Sequence, residues 1–427
     1  MTTDTPRPMG IRDVLRLPAY RNIIGGQAIS DIGDGITLLL LLLVINHLTG
    51  SMTALALMAI AEAVPQFTVG LVAGVYVDRW NRRTVMLAAD ALRAVVVVLF
   101  AVAVMAELVP LLYLLAFVQS SISTFFRPAR GALVPRIVPR EGLPAANSLA
   151  QASQTIGFVV GSGIAGLLFG LFSTNAIGFL IDGATFLVSM ALVARIPSAL
   201  GAIPPAAPHE GRPAGDVRRS LLEGFAIVRG SRALGGSMIA AAVSMLGLGA
   251  VNVLFVPLIV GELRVSPTWM AGIEAAQTAA MILAAGVVAV LARRFAPTTI
   301  ISVALAGIGV LIGLLAGAVE VWQVLAVLFA VGWLVTPLQA MLQTIVQTAS
   351  TDRTRGRVAS LIQASMSTAS VVSMAVGGIL GDLIGIRAVY LAAAAIVLLA
   401  AGISVILFRG GVRRPAADAA PEMPAAA

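Results

Sequence analysis

Twelve stretches of about 20 mostly apolar residues follow one another along this chain, with only short connectors between them. Each is long enough to cross the hydrocarbon core of a bilayer as a helix. They fall at about 22–47, 53–77, 84–106, 109–127, 148–172, 176–196, 233–261, 267–292, 298–318, 321–348, 359–383 and 386–408. Of 427 residues, 59% are hydrophobic and 11% charged. Mean hydropathy is +0.98. No soluble core needs that much apolar sequence, so the expected fold is an all-α polytopic membrane protein.

The arginines test the count of spans. All 28 basic residues are arginine. With the N-terminus placed in the cytoplasm, 25 fall on inner segments, only Arg264 and Arg387 fall outside, and Arg93 alone lies within a span. One helix too many or too few would destroy this asymmetry. A multi-pass protein of the inner (plasma) membrane with both termini cytoplasmic is expected. The net charge of +8 then reflects arginine beside anionic lipid rather than nucleic-acid binding.

Outer connectors such as Leu48–Met52 are very short. The longest polar segment, 197–230, is rich in Pro, Gly and Ala. It divides an N-terminal six-helix bundle, 1–196, from a C-terminal one, 231–409. Within it, Leu221, Phe225 and Val228 share a face at helical spacing and predict a short amphipathic helix on the inner membrane surface. The segment 410–427 is expected to be a disordered cytoplasmic tail. The polar start, Met1 to Arg21, gives no sign of a cleavable signal peptide. The halves echo each other: charged inner loops precede Asn147-Ser148-Leu149 and Ala359-Ser360-Leu361. Duplicated halves suit a rocking-bundle transporter.

The connector Gly74-Val75-Tyr76-Val77-Asp78-Arg79-Trp80-Asn81-Arg82-Arg83 packs an acid and three arginines between two apolar runs. Topology explains Arg79, Arg82 and Arg83, but not Gly74 or Asp78. The decapeptide resembles the loop signature between the second and third helices of the major facilitator superfamily. Asn81 stands where the signature has its second glycine, and asparagine tolerates a left-handed backbone there. Arg127-Pro128-Ala129 and Arg355-Gly356-Arg357-Val358 are similar to inner-loop phrases of the branch that includes macrolide efflux pumps and the enterobactin exporter. The resemblance implies twelve helices in two pseudo-symmetric six-helix bundles, with the first, fourth, seventh and tenth spans lining a central cavity. It also implies an inner gate, in which Asp78 meets the start of the eleventh span and Arg127 or Arg130.

Charge inside a membrane is costly, so each intramembrane acid needs a reason. Asp31 and Asp34, three apart and about halfway along the first span, share a helix face. By the resemblance they face the substrate path, where two close acids that take up and release a proton would couple transport to the proton gradient. The alternative is a structural role, above all for Asp34 between Gly33 and Gly35. Glu62, three residues before Pro65, either joins that cluster or hydrogen-bonds backbone freed by the proline. Asp90 and Arg93 have the spacing of a pair on one helix. Asp182 and Glu274 read as partly hydrated or paired structural groups nearer the outer surface.

In the second half, Asn252, Phe255, Trp333, Gln339 and Gln343 could line an amphipathic pocket, or the amides could bond helices together. Gly157 to Gly166 resembles the antiporter motif of drug exporters, with Ser162 in place of proline and Ala165 in place of glycine. With no cysteine and two distant histidines, no thiol catalyst, disulfide or zinc site is expected. Without lysine there is no phosphate loop, and no cofactor is expected. The chain reads as a transporter and not an enzyme, expected to be monomeric, with protons, lipid and a small molecule as partners. Proton-coupled efflux of an amphipathic or cationic compound (a drug, macrolide or siderophore-like metabolite) is the leading reading. Nutrient symport, and a membrane sensor or scaffold, are the rivals.

Overall fold

A computed structural model describes residues 9–77, 79–172, 176–202 and 215–408. Asp78 and the tail 410–427 lie outside them. Twelve helices among the described residues are long and apolar enough to cross a membrane. In chain order the helices are α1 (Ile11–Leu15), α2 (Pro18–Thr49), α3 (Met52–Val77), α4 (Arg82–Met105), α5 (Val109–Ile137), α6 (Leu143–Leu171), α7 (Ala176–Ala194), α8 (Ser198–Gly201), α9 (Gly215–Gly230), α10 (Arg232–Val256), α11 (Thr268–Arg294), α12 (Pro297–Ala316), α13 (Val321–Ala349), α14 (Asp352–Ile384) and α15 (Ile386–Phe408). All but α1, α8 and α9 are spans.

Several helices overrun the apolar runs at the arginine-rich end. The fourth run stops at 127, yet α5 continues to Ile137 with Pro128 and Pro135 inside it. Arg127 and Arg130, expected in a connector, therefore sit on a helix. Neither proline ends it, because the turn can re-satisfy the freed carbonyls locally. Asn81 is also not left-handed. Its φ is −62° and ψ 115°, and its side chain caps α4 by accepting from the Arg83 and Thr84 backbone N–H groups. An N-cap needs extended backbone and a short polar side chain, which asparagine supplies and glycine cannot.

The helices pack as two groups. In α2–α7, α2 lies on α6 and α7, α4 on α5 and α7, and α3 on α5. In α10–α15, α10 lies on α14 and α15, α12 on α13 and α15, and α11 on α13. Small residues set the spacing. A Cβ at Gly161 of α6 would strike the Ile32 carbonyl oxygen of α2, and one at Gly35 would lie 2.8 Å from the Phe158 carbonyl oxygen. Such contacts let backbones approach where apolar burial gives no drive between helices.

The two groups meet chiefly through α3 against α14 and α6 against α11. Gly378 and Gly381 of α14 lie on Met52 and Ala56 of α3, and Gly166 of α6 lies on Pro267 and Thr268. These contacts are at the arginine-poor end. There Arg387 donates to the Ala316 and Ala318 carbonyls and pairs with Glu262 at 3.4 Å. A cation suits the carbonyl end of α12. At the other end α9 docks on α14. Glu223 and Arg357 pair at 2.5 Å, Val228 is buried and Phe225 exposed, so the helix presents an apolar side chain outward as well as inward.

Candidate functional site

Arg93 of α4 sits midway along an apolar run, and its partner is not the one that spacing suggests. It forms an ion pair with Asp34 of α2. Asp90, three residues earlier on α4, instead accepts from Ser189 Oγ of α7 at 2.7 Å. The Arg93 side chain is 5% exposed and that of Asp34 44%. The Arg93 guanidinium also lies 4.0 Å from the centroid of the Phe186 ring, a cation–π contact.

Asp182 of α7 joins this cluster. It is 0% exposed rather than partly hydrated. It accepts from Thr37 Oγ1 at 2.6 Å and from Thr185 Oγ1 at 3.1 Å. A Cβ at Gly33 would collide with its carboxylate, so the glycine before Asp34 makes room for Asp182. Glu62 of α3 lies within electrostatic reach of Asp34. Its backbone carbonyl, one turn before Pro65, accepts from Ser120 Oγ at 2.6 Å. Three carboxylates thus gather round one guanidinium, Asp34, Asp90 and Asp182, and Glu62 lies beside Asp34. Asp90 Oδ1 and Arg93 Nε are buried without a hydrogen-bond partner among the described residues.

Asp31 shares a face with Asp34, but the two acids divide between neighbours. Asp31 accepts from Ser153 Oγ of α6 at 3.0 Å and lies in the field of Arg130 on α5. Three residues rotate a side chain by about 300°, leaving the pair some 60° apart. That suffices to send one toward α6 and α5 and the other toward α4. Arg130, expected at the inner gate, stands near Asp31 and Tyr20.

The other gate residues are dispersed. Arg79 is exposed in the turn before α4. Arg83 donates to the Ala194 carbonyl at 2.7 Å. Arg82 Nε and Nη1 are buried without a partner among the described residues. Arg127 is exposed on α5. Gly74 lies in the last turns of α3.

In the C-terminal group a cavity of about 100 Å³ lies among α10, α12, α13 and α14. Its wall is apolar apart from Ser244 and Gln339. Of the five residues expected to share a pocket, Gln339 alone lines it. Trp333 precedes Gln339 by six residues, about 240° round the helix, and so faces elsewhere. Asn252 extends the Ser244–Leu248 stripe by one turn and donates to the Leu248 carbonyl. Phe255 packs against the core, and Gln343 is exposed one turn beyond Gln339.

Ser162 and Glu274 face each other where α6 meets α11, and neither the Ser162 hydroxyl nor Glu274 Oε2 completes a well-formed hydrogen bond among the described residues. The antiporter-like stretch is therefore split. Gly157 and Gly161 pack on α2, while Gly163 and Gly166 pack on α11. Sequence spacing gave no signal for the Asp34–Arg93 pairing or for the burial of Asp182, because both depend on which helices are neighbours.

The profile of the Major Facilitator Superfamily matches residues 23–242 and again 237–426. The chain belongs to this superfamily of membrane transporters. Among curated relatives, macrolide efflux protein A of Streptococcus pyogenes is 30% identical over 242 residues, 56% of this chain and 58% of that protein. This superfamily member thus matches little more than half the length of that relative. The multidrug efflux pump Tap of Mycolicibacterium fortuitum is 27% identical over 88% of this chain and 92% of the pump. A bacterial homologue of the iron transporter ferroportin, solved in an inward-facing state, superposes with a TM-score of 0.74 at 16% identity over 92% of this chain and 99% of that one. The nucleoside transporter NupG does so with a TM-score of 0.71 at 13% identity over 92% of this chain and 99% of that one. At those identities the likeness is one of fold.

Proposed function

We propose that this protein is a proton-coupled exporter of an amphipathic or cationic organic compound, working by alternating access. The observation that carries the reading is Asp34. Its half-exposed carboxylate lies about halfway along a spanning helix and pairs with Arg93, in whose field the buried acids Asp90 and Asp182 also lie. Three carboxylates against one guanidinium leave an excess of acid in an apolar setting, which is the arrangement a proton-exchanging site needs. Asp31 and Glu62 flank it as further coupling acids. The substrate class is supported by the acids midway along α2, the apolar cavity beside Gln339 and the efflux relatives.

In this reading 1–196 and 231–409 rock against each other about the linker 197–230. The state described is closed at the arginine-poor end. That end is external, both termini are cytoplasmic, and the membrane is the plasma membrane. Asp78 serves as the latch of the opposite end, and the protein works as a monomer.

The test is transport in proteoliposomes, with a labelled macrolide and a cationic dye as probes. Asp31→Asn or Asp34→Asn should abolish gradient-driven accumulation while leaving exchange. Uphill transport at the wild-type rate in both variants and in the double variant would remove the coupling role from α2.

A further inference from the structure

Asp382 lies in the last turn of α14, and its carboxylate crosses to the other helix group. It accepts from Ser51 Oγ at 2.8 Å, from the Met52 backbone N–H at 2.8 Å and from the Thr53 backbone N–H at 3.0 Å. These backbone groups are the orphan donors at the start of α3, where the helix dipole favours an anion. Hydrogen bonds to an ionised acceptor are stronger than neutral ones. Beside the clasp the backbones are close. A Cβ at Gly378 would lie 2.8 Å from the Met52 carbonyl oxygen, and one at Gly381 2.6 Å from Met52 Sδ.

We propose that Asp382 is a releasable latch that sets how often the arginine-poor end of the transporter opens. This rests on the alternating-access reading above. Three features make it a latch rather than a structural staple. It joins the two groups that must part, whereas Arg93–Asp34 joins helices of one group. It is exposed, so water takes over its bonds as the helix ends separate. Ser51 Oγ also accepts from the Ala54 N–H at 3.3 Å, so α3 keeps a cap when Asp382 is gone. Asp382 is therefore a positioning residue for the transport cycle, remote from the mid-membrane acids.

The experiment uses the chain's lack of cysteine. Spin labels on Glu107→Cys and Val319→Cys span the arginine-poor end, and labels on Glu141→Cys and Ala296→Cys span the other. Distance distributions are read by double electron–electron resonance on the full chain in lipid nanodiscs, without substrate. Asp382→Asn should raise the open-to-closed ratio at the first pair by roughly fivefold and shift the second pair toward shorter distances. Asp382→Glu should restore part of the closed population. Distributions unchanged in both Asp382→Asn and Asp382→Ala would overturn the proposal. If neither variant inserts, Ser51→Ala decides, since it removes one of the three bonds to Asp382 together with the Ala54 cap and should give a smaller shift in the same direction; no shift overturns the latch. Because the distances need neither substrate nor a gradient, failure of the latch and failure of proton-coupled export are read separately.

Discussion

A guanidinium buried at mid-membrane has few ways to be stable, and Arg93 uses two at once, the Asp34 carboxylate and the Phe186 ring. Removing one partner of such a pair leaves an uncompensated charge, whereas removing both is far milder. Asp34→Asn and Arg93→Leu should each destabilise the protein, and the double variant by less than their sum. A coupling of about 1–3 kcal/mol is expected from thermal unfolding in detergent. Additive effects would show that the pair is not energetically linked. Thr37 supplies the shortest bond to buried Asp182. Thr37→Val should cost about 1–3 kcal/mol by leaving that oxygen unsatisfied, while Thr37→Ser keeps the hydroxyl and most of the stability. Equal losses in the two would argue for packing of the methyl group instead.

At the scale of helices, small residues decide what lies beside what. Gly161 has no room for a side chain against α2, whereas Gly286 of α11 has nothing within 4 Å of an added Cβ. Gly161→Ala should lower stability by about 1–3 kcal/mol through overpacking, and Gly286→Ala should leave it unchanged or slightly raised. A melting comparison checks this, and equal melting temperatures would mean that α2 and α6 do not approach as described. The spans themselves were legible from sequence because bilayer thickness imposes one length on every crossing. Their ends were less so. Helix α5 runs past its apolar stretch because prolines inside a packed helix do not terminate it. The acids on α2 were legible as candidates from their depth alone. Their division between Ser153 and Arg93 was not, since it depends on α6 and α4 lying on either side of α2. Of Asn252, Phe255, Trp333, Gln339 and Gln343, only Gln339 lines the cavity among α10, α12, α13 and α14, because residues spread over two helices share a wall only where their faces coincide.

For the whole molecule, orientation follows from charge. Arginine is held back from the far side during insertion, and the connectors at one end carry nearly all of it. In the proposed orientation the arginine-poor end, where α3 meets α14 and α6 meets α11, is the outer one, and the end bearing α9 the inner. Reporter fusions after Arg83 and after Arg294 should read cytoplasmic, and fusions at Ser51 and Val319 external. This arrangement names the side from which the acids are reached in each state. The Asp34 cluster would take up protons with the outer end open and release them with the inner end open, as export against an inward gradient requires. Opposite readings at two or more of the four sites would defeat this orientation.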